Sequence, residues 1–425
     1  MDILALFQCL QPHVTATALR PCSRLALAMR VLPGRVTMLG LSRWAGKGGS
    51  DRTVQRFFSQ VLPWAMLFWV FFRQHVHCPD EVYLLAGDDV VVTKAGKHTY
   101  GLDRFFSSLY GKPIPGLAFF AFSLVSVQAR RAFPLRGEQV VRSAAEKAAS
   151  KANAAAKRQT PSPPPRRPGR PKGSRNKPKA DVTLTPELSR ITSMLDALLK
   201  QIAGVVPLLS LVLDGHFGNH NALQMARKSK LHVISKLRCD AALSFPYAGA
   251  YAGRGPRRKD GSKLAYDNIP AQYLNETTVE GHIQTRLYQA QLLHKEFAHP
   301  LNVVIIVKTN LHTQAQAHVV LLSSDLTLAH APLVDYYSLR CQSEFNFRDA
   351  KPYWGLEDFM NVTPTGVTNA ANLSLFMVNV SSRLQNTVRL RAPDSSILDL
   401  KADCRGYKYV EETIQMLPEK PEPVL

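Results

Sequence analysis

The sequence predicts a mixed α/β protein, and three observations support this prediction. Several short apolar runs rich in Val, Leu and Phe are bounded by turn residues, as expected of buried strands. Longer segments between them carry apolar residues at helical spacing. Two of the strand-like runs contain aspartates, Asp88 and Asp214, and a predicted helix carries Glu344. A chain of 425 residues, of which 45% are hydrophobic, is long enough to bury a sizeable core.

The formal net charge of +21 indicates a polyanionic partner, with nucleic acid favoured over an anionic membrane. The six cysteines contain no Cys-x-x-Cys pair, which is typical of reduced thiols and not of a disulfide framework. The longest apolar run, 61–72, contains Pro63 and is too short to span a bilayer. We therefore expect a cytoplasmic, nucleoid-associated protein with no membrane partner.

Residues 1–77 are predicted to be helical and to include a helix, a glycine-rich turn and a second helix. Ser50 or Asp51 can cap the second helix. Its outward side chains would be Arg52, Gln55 and Arg56, and its packed ones Val54, Phe57 and Phe58. A DNA-binding helix-turn-helix has this pattern, although an ordinary helical hairpin has it too.

The run 82–92 is β-branched and apolar and is predicted to be a buried strand, yet Asp88 and Asp89 interrupt it. A charge inside a buried strand is costly unless it is paired or bound to a metal. The plainer interpretation is a structural ion pair with Lys94 or Lys97.

A second aspartate ends the strand predicted at 205–213, which follows a helix predicted over 188–203. A carboxylate at the tip of such a strand, before a Gly turn, lies where sites gather in α/β folds. Asp214 is too far upstream of a helix beginning near Asn219 to cap it well. Further strands are predicted at 117–127, 132–141, 231–237, 301–307 and 318–322.

Residues 337–351 are predicted to form one helix that ends before Pro352. At about 100° per residue, one face of this helix carries Tyr337, Arg340, Glu344 and Lys351. A plain surface ion-pair ladder would also look like this. A covering helix is predicted at 366–384.

The spacing Tyr-(2)-Arg-(3)-Glu-(6)-Lys resembles the signature of bacterial insertion-sequence transposases of the DDE type. Two further passages share the likeness, an Asp-Asp pair followed by KAGKHTYG and a strand-ending Asp followed by GHFG. The resemblance covers roughly residues 35–390 and implies an RNase H-like catalytic core, a mixed sheet flanked by helices. It also implies that the catalytic and metal-binding carboxylates are Asp88, Asp214 and Glu344. The family usually has Thr where this chain has Val90, so the choice between Asp88 and Asp89 stays open.

Oxygen ligands of this kind favour Mg²⁺ or Mn²⁺, and two such ions can activate a nucleophile and stabilise the leaving oxygen at a phosphodiester. The resemblance implies DNA cleavage at element ends, followed by strand transfer to target DNA. It further implies that Tyr337, Arg340 and Lys351 position phosphates, and that the protein works as a homodimer on double-stranded DNA. The alternatives are a non-catalytic DNA-binding protein derived from a transposase, and an RNase H-like nuclease without strand transfer.

Two basic stretches are further DNA-binding candidates. Between 151 and 180 there are ten Lys or Arg residues and no acidic residue, so we expect a disordered or extended insertion at 145–182. Its centre, Gly169-Arg170-Pro171 with Arg167 and Lys172, resembles an AT-hook, although a merely basic linker is the alternative. The resemblance implies a second, β-rich insertion at 240–300 that clamps the element end. Its candidate phosphate contacts are Arg254, Arg257, Arg258, Lys259 and Lys263.

The predicted organisation has three parts. Residues 1–77 form the helical DNA-binding region, and 78–395 form the catalytic domain that the two insertions interrupt. Residues 396–425 contain three prolines near their end and are predicted to be a C-terminal tail.

Overall fold

The computed structural model describes residues 3–107, 110–159, 182–251, 253 and 257–418. The AT-hook-like residues Arg167, Arg170 and Lys172 lie outside the described residues, as does Arg254. The chain divides into two compact units. The first comprises Met1–Gln139, Ile191–Asp214 and Val334–Leu425, and the second comprises Val140–Arg190 and Gly215–Leu333.

Runs of helices and runs of strands follow one another along the described chain. The α-helices are α1 (Ile3–Phe7), α2 (Ala16–Val31), α3 (Met38–Trp44), α4 (Asp51–Ser59), α5 (Trp64–His75), α6 (Ala144–Gln159), α7 (Pro186–Ile202), α8 (His220–Lys228), α9 (His330–Leu339), α10 (Cys341–Trp354), α11 (Pro364–Arg389) and α12 (Ile397–Met416). The strands are β1 (Tyr83–Thr93), β2 (Asp103–Ser107), β3 (Lys112–Ser126), β4 (Arg131–Val140), β5 (Ser210–Leu213), β6 (His232–Leu237), β7 (Leu243–Pro246), β8 (Asp260–Lys263), β9 (Leu274–Glu280), β10 (Ile283–His294), β11 (Leu301–Asn310) and β12 (Gln316–Ser323).

The sheet of the first unit is built around β1. This strand pairs with β3 in antiparallel fashion over its whole length and with β5 in parallel fashion, and β3 also pairs with β2 and β4. β5 is shorter than the predicted strand at 205–213 and begins at Ser210, after Pro207, which has no backbone N–H to donate to a sheet. Mixed pairing of strands flanked by helices confirms the predicted α/β class and is consistent with the RNase H-like core.

α11 is a largely buried helix of the first unit, with 18 of its 26 residues buried. The ring of Phe376 contacts a cluster of aromatic rings from the N-terminal helices, namely Phe7, Trp64, Phe68 and Phe71. Asn369 accepts a hydrogen bond from Trp64 Nε1 (2.8 Å) and donates to the backbone of the α4–α5 connection. This helix therefore fixes the N-terminal helices to the core by both apolar and polar contacts.

The N-terminal region is helical, as predicted, and α3 and α4 are joined by a turn in which Gly46 and Gly48 have positive φ. Ser50 caps α4 by accepting a hydrogen bond from Thr53 N. The predicted pattern of α4 is confirmed, with Val54, Phe57 and Phe58 buried and Arg52, Gln55 and Arg56 exposed. DNA binding by this helix pair stays a prediction.

The predicted single helix at 337–351 is wrong, because α9 ends at Leu339 and α10 begins at Cys341. Arg340 lies at the junction, where Ser343 Oγ donates a hydrogen bond to its carbonyl and tightens the turn. Pro352 does not end the helix either. It lies in the last turn of α10, which ends at Gly355 in the left-handed conformation (φ +78°).

Two further predicted segments differ from the structure. Residues 397–416 of the predicted tail form α12, which begins with a capping box between Ser396 and Asp399. The predicted extended insertion begins as helix α6, because its first part is rich in Ala and Ser143 and Glu146 form reciprocal capping hydrogen bonds.

The second unit is rich in antiparallel strands. β10 pairs with β7, β9 and β11, β11 pairs with β12, and β12 pairs with β6. This confirms that residues 240–300 are β-rich. Within the described residues, no helix is long and apolar enough to cross a membrane.

Candidate active site

Asp88 and Asp214 occupy equivalent positions on neighbouring parallel strands. Gly87 of β1 pairs with Leu213 of β5, and each aspartate is the next residue along its strand. Asp214 directly follows the last residue of β5, so the register brings the backbones of the two aspartates next to each other, about 5 Å apart by the spacing of paired strands. Asp88 is buried, with 9% of its surface exposed, whereas Asp214 is half-buried.

The third carboxylate, Glu344, lies in the first turn of α10, which packs against β1 and β3. Buried Asn346, two residues further on, donates a hydrogen bond to Ser123 Oγ of β3 (3.2 Å). This bond fixes the start of α10 on the sheet.

Arg340 connects Asp88 with Glu344. Its guanidinium forms an ion pair with Asp88 Oδ2 (Nη1 at 3.5 Å) and a short ion pair with Glu344 through Nη2. Its buried Nε has no hydrogen-bond partner. The structure therefore brings two predicted catalytic carboxylates and one predicted phosphate-binding cation together in a single cluster.

The pKa of Asp88 is raised to about 7, chiefly by burial; the nearby carboxylates of Asp89 and Glu344 act in the same direction, while Arg340 acts in the opposite direction. Burial alone would lower the pKa of Arg340, but Asp88 and Glu344 raise it above its usual value. The site is therefore short of positive charge even with Arg340 in place.

Tyr337 of α9 lies near both Asp214 and Arg340. Burial raises the pKa of its hydroxyl, and the negative charge of Asp214 contributes in the same direction, whereas Arg340 lowers it. Tyr337 therefore lies within electrostatic range of both side chains.

Lys351 lies two turns of α10 after Glu344, further from the acidic cluster. Its Nζ donates to the carbonyl of Val91 in β1 (3.3 Å) and forms an ion pair with Glu357 (3.0 Å). Glu357 was not among the residues predicted from sequence. No sequence signal identifies it, because the contact depends on the turn at Gly355.

Asp89 is exposed, whereas Asp88 is buried on the side of β1 that meets Arg340. Successive side chains of a strand point to opposite faces, so only one of the two can face α10. The suggested structural pair between Asp88 and Lys94 is not found, because Lys94 donates to the backbone carbonyls of Glu357 and Phe359.

A family model described as DDE superfamily endonuclease matches residues 5–295, which is more than half of the chain. The chain belongs to this family. No curated protein matches it. Membership implies an enzyme of the nuclease type with a DNA substrate. The match includes Asp88 and Asp214 and ends before Tyr337, so the Tyr-Arg-Glu-Lys signature stays a prediction.

In this DDE superfamily endonuclease, the donor chemistry of the site fits a hard divalent cation, because all three candidate ligands are carboxylates. Within the described ranges, no three His, Cys, Asp or Glu side chains form a ready-made metal cluster. Arg340, which contacts two of the carboxylates, supplies positive charge at that place.

Four further predicted phosphate contacts that the structure describes lie in the second unit. Arg257 and Arg258 are exposed, and their guanidinium groups lie 5.1 Å from the ring centroids of Tyr251 and Tyr247. Lys259 and Lys263 are also exposed. Exposed Arg and Tyr side chains suit contact with phosphates and bases, and their role stays a prediction.

Proposed function

We propose that this protein is a DNA transposase of an insertion sequence, which cuts the ends of its element and joins them to target DNA. The observation that carries the proposal is the cluster of Asp88, Arg340 and Glu344, with Asp214 at the equivalent position of the neighbouring strand. This arrangement occurs in a DDE superfamily endonuclease. The Tyr-Arg-Glu-Lys spacing distinguishes the transposase from other nucleases of this kind.

The three carboxylates would hold Mg²⁺ or Mn²⁺, and we expect two ions. When bound, these ions supply nucleophile activation and stabilisation of the leaving oxygen at a phosphodiester. Arg340 is the counter-cation of the acidic cluster, and its planar guanidinium suits bidentate contact with a phosphate. Tyr337 and Lys351, which lie before and after it, would orient the two strands of the element end.

The working form that we propose is a homodimer on two element ends. The exposed cations of α4, the basic segment that contains Arg167, Arg170 and Lys172, and Arg257 and Arg258 would contribute phosphate contacts outside the active site.

The test is a cleavage and strand-transfer assay in Mg²⁺ with the inverted-repeat ends that flank the protein's own coding region. We expect cleavage by the wild type and none by Asp88→Ala, Asp214→Ala or Glu344→Ala, with DNA binding retained in all of them. Asp89→Ala is the matched control, because Asp89 adjoins Asp88 and is exposed.

Other outcomes assign another function. Loss of cleavage in Asp89→Ala but not in Asp88→Ala moves the first ligand by one residue. Cleavage without strand-transfer products indicates a nuclease, and binding without cleavage in any metal indicates a non-catalytic DNA-binding protein.

A further inference from the structure

Lys94 is a buried lysine that the proposed chemistry does not use. It lies one residue beyond β1, with 8% of its surface exposed. Its Nζ donates to the carbonyls of Glu357 (2.9 Å) and Phe359 (2.7 Å) and lies 3.6 Å from the Phe359 ring centroid. Burial lowers its pKa to about 8. A buried ammonium is costly unless it is hydrogen-bonded, so Lys94 stabilises one backbone conformation of the segment after α10.

Lys94 and Lys351 form a reciprocal connection between the same two parts of the first unit. Lys351 extends from α10 to the carbonyl of Val91 in β1 (3.3 Å), while Lys94 extends from the end of β1 to the segment after α10. Glu357 joins the two lysines, because its carbonyl accepts from Lys94 and its carboxylate pairs with Lys351 (3.0 Å).

The segment that Lys94 holds has its own anchors in the first unit. Asp358 accepts hydrogen bonds from Val36 N (2.8 Å) and Arg35 Nε (2.9 Å). Gly355, with φ +78°, lies so close to Val36 that an added Cβ would be 2.4 Å from the Val36 Cβ. Lys94 therefore connects β1 to a segment whose position is already fixed.

The connection formed by Lys94 and Lys351 is separated from the carboxylates by a similar distance along β1 and along α10. Asp88 precedes Val91 by three residues of β1, and Glu344 precedes Lys351 by seven residues of α10. Each separation corresponds to roughly 10 Å along its element. A displacement of α10 along β1 would break the lysine hydrogen bonds and change the distance between Asp88 and Glu344 together.

We propose that Lys94 is a positioning residue of the carboxylate site, which fixes residues 355–359 against β1 and so holds Asp88 and Glu344 at the separation that metal binding requires. This inference rests on the proposed function, because it assumes that these carboxylates bind a divalent cation. Lys94 does not touch the metal or the DNA.

The test is to titrate the full-length, DNA-free protein with Mn²⁺ and to measure binding by isothermal titration calorimetry. We expect Lys94→Met to bind Mn²⁺ about tenfold more weakly than the wild type, the loss typical when a group that orients metal ligands is removed. Lys94→Arg, which keeps a cationic donor, should recover part of the affinity. In the cleavage assay, Lys94→Met should lower kcat and leave the KM for DNA unchanged.

Lys401→Met is the matched control. Lys401 is also buried (5% exposed) and donates to two backbone carbonyls, those of Met29 and Tyr353, but none of these bonds reaches β1. We expect its Mn²⁺ affinity to equal that of the wild type. An equal loss in both lysine variants would show a general effect of removing a buried lysine and would overturn the proposal.

Asp88→Ala separates the failure of this inference from that of the proposed function. If the wild type binds Mn²⁺ no better than Asp88→Ala, the metal site and the proposed function fail. Asp88-dependent binding that Lys94→Met leaves unchanged refutes the role of Lys94 alone.

If Lys94→Met does not fold, Lys351→Met replaces it, since Lys351 is partly exposed and forms the other half of the connection. Wild-type Mn²⁺ affinity in that variant, measured without DNA, would overturn the proposal.

Discussion

Asp88 is held in surroundings that favour its neutral form. It lies in the middle of β1, buried between β3 and β5 and facing α10. Arg340 offsets part of the cost of its charge, but burial still raises its pKa to about 7. Between about pH 4 and pH 7, the folded protein therefore keeps a proton on Asp88 that the unfolded chain has released.

This proton predicts the pH dependence of stability. Because the folded state holds this proton and the unfolded state does not, the contribution of Asp88 to the free energy of unfolding should decrease as the pH rises from about 4 to about 7, and then level off. The contribution of Asp88 is on the order of 4 kcal/mol. Asp88→Asn cannot ionise, so it should match the wild type near pH 4 and be more stable at pH 8, measured by urea unfolding without metal.

Exposed Asp89 supplies the control for this experiment. Asp89→Asn should keep most of the wild-type decrease between pH 4 and pH 7, because burial, the largest cause of the raised pKa of Asp88, is unchanged and only the smaller contribution of the Asp89 carboxylate is lost. A wild-type and an Asp88→Asn profile that run parallel over the whole range would contradict the assignment of the raised pKa to Asp88.

At the same scale, the sequence predicts the aspartate pair but not the orientation of its members. Strand alternation requires that Asp88 and Asp89 point to opposite faces, whichever of them faces the helix. The choice depends on the register with β5 and on the position of α10, which are contacts between distant parts of the chain. The partner of Lys351, Glu357, escapes prediction for the same reason.

At the scale of elements, strands were predicted well where apolar β-branched runs are long, as in β1 and β11. Helix ends were predicted less well, because they depend on single hydrogen bonds. The break at Arg340 follows from a hydroxyl bond of Ser343, and α10 continues past Pro352 to the left-handed Gly355. α12 was missed because prolines further along suggested a tail.

The start of α12 gives a prediction at this scale. Ser396 Oγ accepts a hydrogen bond from Asp399 N, while the Asp399 carboxylate accepts from Ser396 N. Removing such a cap costs about 1 kcal/mol, so Ser396→Ala should increase amide hydrogen exchange in the first turns of α12 by about fivefold. Thr413→Ala is the control, because its hydroxyl donates to Tyr409 O within the same helix and caps nothing. Equal exchange in the two variants would show that the capping box does not stabilise α12.

At the scale of the whole molecule, the positive charge is spread unevenly. Ten of the Lys and Arg residues fall between 151 and 180, whereas the proposed active site is an acidic cluster in which Arg340 faces two carboxylates, Asp88 and Glu344. Phosphate contacts made by separate cations release counterions and supply affinity without sequence specificity. Affinity for DNA and chemistry at the site should therefore be separable in this protein.

Replacing residues 160–181 by a Gly/Ser linker of equal length tests this separation, since it removes seven cations and keeps the chain connected. The slope of log Kd against log salt concentration should become shallower by several units, up to about 6 if all seven cations contact phosphates. Cleavage at saturating DNA should keep its Mg²⁺ dependence, because the carboxylates lie elsewhere in the chain.

A linker that keeps the native cations in scrambled order distinguishes charge from motif. If it restores the slope but not a preference for A·T-rich duplex, the Gly169-Arg170-Pro171 core reads the minor groove. An unchanged slope in the Gly/Ser variant would show that the basic segment does not contact DNA, and the excess charge would then act through the exposed cations of α4 and the second unit.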